Sequence, residues 1–121
     1  MEEKQYPRIV SVDFDQTIAY SDYPDIKDEV PYAIETLKML QEHGDIIILS
    51  TCREGQFLVD ALQWLNDRGF IPDCVNDNYP HGKHYHYGNC RKISGDIVID
   101  DKNDNYKVDW LDIRKRLVKE Q

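Results

Sequence analysis

The sequence predicts an α/β fold: a single doubly wound, mainly parallel sheet flanked by helices, in one domain over residues 1–121. Three observations carry this expectation. The apolar runs at Ile9–Val12 and Ile46–Leu49 are short and nearly continuous, the pattern of strands covered on both faces. Apolar residues between and after them recur at helical spacing and stop at glycine. The resulting order is strand, helix, strand, helix, strand, loop, strand, helix, and such alternation favours right-handed parallel crossovers.

The first strand, Ile9, Val10 and Val12, runs straight into Asp13 and Asp15. Side chains two apart on an extended chain face the same way. Both carboxylates are therefore expected to converge at the C-terminal edge of the sheet, where open α/β folds bind ligands. Ile18–Glu29 reads as a polar loop, with Tyr20 and Tyr23 packed on the surface or lining a site mouth. Pro31 suits a first helical turn; Val30, Ala33, Ile34, Leu37 and Leu40 follow at helical spacing, and Gly44 ends the helix. Asp45–Ser50 is the second strand. Thr51–Gly55 leads into a helix with the stripe Phe57, Leu58, Ala61, Leu62 and Leu65, closed by Gly69. Phe70–Val75 reads as a short third strand, and Pro72 suits an edge. Asn76–Cys90 is loop-like. The strand Asp96–Asp100 again finishes in acids, Asp100 and Asp101. A final amphipathic helix begins near Asp109, which can cap it, with Trp110, Leu111, Leu117 and Val118 inward. Lys115, Arg116 and Lys119 suit its negative end.

Composition narrows the function classes. The longest purely apolar stretch, Ile46–Leu49, is far too short to span a bilayer. The first residues carry no apolar core of a signal peptide. Cys52, Cys74 and Cys90 are odd in number and lack CxxC spacing, which favours reduced thiols and a cytoplasmic protein. A formal net charge of −8 argues against nucleic-acid or anionic-membrane partners, which are bound through clustered Lys and Arg.

The chemistry-bearing residues sit at strand ends and helix starts. They are Asp13-x-Asp15-x-Thr17, the hydroxyl of Thr51 after the second strand, Lys92, and the closing pair Asp100-Asp101. Four elements in this order resemble the motifs of the haloacid dehalogenase superfamily, and Thr51-Cys52-Arg53-Glu54 looks like the second motif of its small bacterial members. Gln16 stands where that family usually has Gly. The resemblance implies a HAD-like Rossmannoid core, with Asp13 as the nucleophile that forms an aspartyl-phosphate. It implies Asp15 as general acid and base, Thr51 as a hydrogen-bond donor to the phosphoryl group, and Lys92 as its counter-charge. It also implies Mg²⁺ held by Asp13, the main-chain carbonyl of Asp15, and Asp100, with Asp101 bound directly or through water. Arg53 either pairs with Glu54 at the surface or reaches the substrate.

Charge arithmetic points the same way without the family. Four carboxylates facing a phosphate dianion at about 4 Å each cost roughly 4 kcal/mol at an effective dielectric near 20. One lysine cannot offset that, whereas a divalent cation together with Lys92 brings the site near balance. His81, His84 and His86, near Cys90, fit no zinc spacing and read better as a partial lid or substrate contact.

The interval between Thr17 and the second strand holds one loop and one helix, too little for a cap domain, so the resemblance is to a capless member. A shallow site suits a large substrate, or a small one enclosed by a neighbouring subunit of a homo-oligomer. The acidic surface favours a small phosphomonoester such as a sugar phosphate. Two other classes stand beside this phosphatase reading: a receiver-like phosphoacceptor module and a catalytically silent binding protein on the same scaffold. A receiver needs an aspartate at the end of a middle strand, where the strand from Ile46 ends in Ser50-Thr51.

Overall fold

Strand β1 (Ile9–Val12) lies inside the sheet, with β4 (Ile46–Leu49) on one side and β6 (Ile97–Ile99) on the other. All four of its residues are buried, which explains a near-continuous apolar run in place of alternation. A computed structural model describes residues 6–77, 79–80, 95–101 and 108–118. Within them the sheet order is β5-β4-β1-β6, with β5 covering Cys74–Val75 and every pairing parallel. Helices α1 (Ala33–Glu42), α2 (Gly55–Asp67) and α3 (Trp110–Leu117) flank it. The expected α/β architecture is what the chain adopts.

The register places strand ends side by side. Val12 is level with Leu49 on one neighbour and Ile99 on the other. The ladder runs one step further on both flanks, through Asp13 N–H to Ile99 O (3.0 Å) and Ser50 N–H to Val12 O (2.8 Å). The opposite edge is fixed by the bidentate pair of Arg8 with Asp45 (3.1 and 2.6 Å), and Arg8 also donates to the Leu117 carbonyl at 2.8 Å. Charge thus closes the rim away from the acids.

One stretch departs from the sequence-based expectation. Ile18–Glu29 is not a loop: β2 (Ala19–Asp22) and β3 (Asp25–Glu29) form an antiparallel hairpin outside the main sheet. Its residues are mostly exposed and polar, so burial leaves no alternating apolar pattern. Two Gln16 contacts tie its base: Nε2 donates to Ser21 O (2.7 Å) and Oε1 accepts from Ser21 N–H (3.4 Å).

The helices follow their stripes with local corrections. Asp109 caps α3 by accepting from Asp112 N–H, as expected. Trp110 and Ile113 are its buried residues, whereas Leu111, expected inward, is exposed. Phe57 in α2 is also exposed, because it turns toward the tip of the hairpin. Among the described residues no helix is long and apolar enough to cross a membrane. His81, His84, His86, Cys90, Lys92 and Lys119 lie outside the described residues.

Candidate functional site

Parallel register turns three strand ends into one locus. Asp13 follows β1, Ser50 and Thr51 follow β4, and Asp100 follows β6. Asp13, Ser50, Thr51, Cys52 and Asp100 line one cleft of about 200 Å³. Asp13, Asp100 and Asp101 each offer a carboxylate oxygen within 4.8 Å of the others, a group able to hold a metal ion.

Crowding these acids has an electrostatic consequence. The Asp13 carboxyl is pushed from 3.8 up to about 7, first by burial, then by its hydrogen bond with Asp101 and the charge of Asp100. The Phe14 backbone N–H pulls in the opposite direction but does not win. Without a cation, a proton is what such a cluster takes up. An all-oxygen donor set fits a hard divalent ion.

Thr17 braces the acids from behind. Its hydroxyl oxygen accepts from Asp101 N–H at 3.0 Å and lies 3.4 Å from Asp13 Oδ2 and 3.5 Å from Asp101 Oδ1. Thr51 is fixed separately. Asn76 Oδ1 accepts its N–H at 2.8 Å, and its hydroxyl oxygen accepts from Arg53 N–H at 3.1 Å. That leaves the Thr51 hydroxyl proton to be donated elsewhere. Asn76 adopts a φ of 52° just past β5, in the left-handed region that Asn tolerates. In the sequence Asn76 merely opens the loop-like stretch Asn76–Cys90.

Asp15 does not join the acid cluster, contrary to the expectation that it converges with Asp13. The two-residue periodicity fails because β1 ends at Val12. The Phe14 carbonyl then accepts from Thr17, Ile18 and Ala19 N–H (3.2, 2.9 and 3.2 Å), and the chain turns. Asp15 instead takes a bidentate pair from Arg53, Nε to Oδ2 at 2.9 Å and Nη2 to Oδ1 at 2.7 Å. Neither Glu54 nor open solvent holds Arg53, which is buried to 1% exposure. Its Nη1 reaches the Phe57 carbonyl at 3.3 Å, and its guanidinium lies 5.2 Å from the Phe14 ring centroid and 5.0 Å from that of Tyr23. Tyr23 in turn meets Phe57 edge-on at 5.7 Å, so the hairpin tip covers Arg53.

Of the expected site residues, Asp13, Thr51 and Asp100 share the cleft, Asp101 adjoins it, and Asp15 and Arg53 form the neighbouring ion pair. Lys92 lies outside the described residues.

The chain matches no protein-family model and no curated protein. It does align with a solved structure, that of a conserved protein from Bacteroides thetaiotaomicron. Identity is 39%, the TM-score is 0.80, and the match covers 90% of this chain and 88% of the other. The chain belongs to the family of that Bacteroides protein. Likeness at this coverage extends the single-sheet α/β core to the Bacteroides relative as well.

Proposed function

We propose that the chain is a Mg²⁺-dependent phosphatase of haloacid dehalogenase type, cleaving a phosphomonoester through an aspartyl-phosphate on Asp13. The observation that supports it most is the meeting of Asp13, Asp100 and Asp101 within 4.8 Å, with Asp13 and Asp100 lining a cleft shared with Thr51. Carboxylates held this close repel, and a bound cation or proton offsets that repulsion. Asp13, Asp100 and the Asp15 carbonyl would hold Mg²⁺, with Asp101 bound directly or through water, and the ion would supply positive charge against the dianion and lower the proton affinity of Asp13.

The chain's own groups then divide the work. One Asp13 oxygen attacks phosphorus as the bond to the leaving oxygen breaks, and the phosphoryl group moves onto Asp13. The Thr51 hydroxyl donates to a phosphoryl oxygen, and Lys92 is assigned to a second. Asp15 protonates the leaving oxygen and afterwards takes a proton from the water that hydrolyses the acyl-phosphate. Both Asp15 oxygens accept from Arg53, so Arg53 must release at least one of them before Asp15 can hand a proton to the leaving oxygen. An arriving phosphate dianion competes for the same guanidinium, which ties substrate binding to that release. The substrate class is a small phosphorylated metabolite, a sugar phosphate for instance, since the acidic surface disfavours nucleic-acid ends.

The test is steady release of inorganic phosphate from p-nitrophenyl phosphate. Release with Mg²⁺ and loss in excess chelator support the reading. A single labelling without turnover indicates a receiver-like module, and inertness toward a panel of phosphorylated metabolites indicates a silent binding protein.

A further inference from the structure

Thr17 is held on two sides, by Asp101 and by Trp110. Asp101 N–H donates to its hydroxyl oxygen at 3.0 Å, and the indole Nε1 of Trp110 donates to its carbonyl at 2.7 Å. Thr17 is fully buried and Trp110 is 1% exposed, so the indole bond has no water as a ready substitute.

The three acids of the cluster are not equally anchored. Asp13 N–H is paired into the sheet through Ile99 O, and Asp100 directly follows β6. Asp101 stands one residue further out, and its N–H is tied to Thr17. Like charges within 4.8 Å repel once the proton shared with Asp13 is lost, so the outermost acid then depends on its backbone being pinned. Thr17 provides the pin, but it lies in the turn after β1, where its own N–H bond to Phe14 O is a long 3.2 Å. Trp110 supplies the rigid end: it opens α3, whose start is capped by Asp109 and which packs against α1.

We propose that Trp110 is a positioning residue for the acid cluster, acting through Thr17 to hold Asp101 where it can share a divalent cation with Asp13 and Asp100. The inference rests on the metal-dependent reading above and adds to it a residue on helix α3, outside the motif acids. The indole has one N–H and one orientation that satisfies it, so helix α3 sets the placement of Thr17 and Thr17 sets that of Asp101.

The test is a Mg²⁺ titration of ¹⁵N-labelled protein followed through its two indole N–H resonances, Trp64 and Trp110. The Trp110 resonance is expected to move saturably, with the midpoint that activates phosphate release. Trp110→Phe, which keeps the buried ring and deletes the N–H, is expected to raise the Mg²⁺ dissociation constant measured by calorimetry about tenfold, with kcat at saturating Mg²⁺ nearly unchanged. Thr17→Val should shift it in the same direction. Ile113→Val, a loss of core volume on the same helix, should lower Tm and leave the Mg²⁺ constant alone. A wild-type Mg²⁺ constant in Trp110→Phe, or a stationary Trp110 resonance in protein that binds Mg²⁺, overturns the inference and leaves the phosphatase reading standing. If Trp110→Phe does not fold, the titration of the unaltered protein decides alone. Wild-type protein that binds no Mg²⁺ overturns both.

Discussion

Arg53 and Asp15 are 38 residues apart in sequence and meet in a bidentate ion pair of 2.9 and 2.7 Å. The guanidinium is buried beneath the hairpin tip, and the carboxylate is a quarter exposed. Planar two-point pairing of this kind is beyond the reach of an ammonium group. The pair therefore fixes Asp15 in orientation until something displaces the guanidinium.

Replacing Arg53 separates its two roles. Arg53→Ala strands Asp15 without its counter-charge, and the expected loss of stability is about 3 kcal/mol, toward the low end for breaking a buried pair because Asp15 is partly solvated. Arg53→Lys keeps a charge but not the fork, so a smaller stability loss and a fall in kcat/KM of about a hundredfold are expected. Urea midpoints at pH 7 and initial rates on p-nitrophenyl phosphate measure the two effects. Wild-type kcat/KM in Arg53→Lys would remove Arg53 from the site.

Asp13→Asn should abolish turnover by at least about a thousandfold, since the amide cannot act as nucleophile. The same change removes one of three mutually repelling acids. In excess chelator at pH 8 the variant is therefore expected to melt above the wild type, and with Mg²⁺ present that advantage should shrink or reverse. Parallel melting curves with and without Mg²⁺ give the answer; a variant less stable than wild type in chelator would show that the acids do not repel.

Metal-free protein should respond to pH in a direction opposite to an ordinary salt-bridged carboxylate. The Asp13 carboxyl is raised from 3.8 to about 7, so between those values the folded chain holds a proton that the unfolded chain has released. Stability contributed by that proton is present at low pH, declines as pH rises from about 4 to about 7, and is gone above. Mg²⁺ bound on the proposed site would have to displace the same proton. Its apparent affinity should climb by up to about tenfold per pH unit below 7 and flatten above it. Calorimetric titrations at pH 6, 7 and 8 check this, and an affinity independent of pH would contradict it.

Gln16 has a φ of 63°, a left-handed conformation that costs a residue with a side chain of order 1 kcal/mol. Its amide offsets that cost through both contacts with the Ser21 backbone. Gln16→Gly relieves the strain and loses the contacts, so global stability should change by less than about 1 kcal/mol. Faster amide hydrogen exchange at Ser21 is expected, and unchanged exchange would show that the side chain does not secure the hairpin.

The parallel core was legible because burial of both faces writes itself as unbroken apolar residues, seen at Ile9–Val12 and Ile46–Leu49. The three-acid cluster was legible because those strands end together, which follows from their order and common direction. The hairpin was not: of its first strand only Ala19 is buried, and its pairing rests on backbone bonds that any side chain allows. Nor was the Arg53–Asp15 pair, since sequence spacing carries no information about two charges that meet across the fold. Trp110 was expected inward, and it is; its bond to the Thr17 carbonyl has no signature in spacing or composition.

Covalent chemistry at one carboxylate, Asp13, is the central step of the proposed reaction. Quenching the protein during turnover of p-nitrophenyl phosphate with sodium borohydride, then mapping peptides by mass, tests it most directly. An acyl-phosphate at Asp13 is reduced to homoserine, and the account predicts that conversion at position 13 alone, dependent on Mg²⁺ and substrate. Steady phosphate release with Asp13 unmodified, or with the label on another residue, would contradict it.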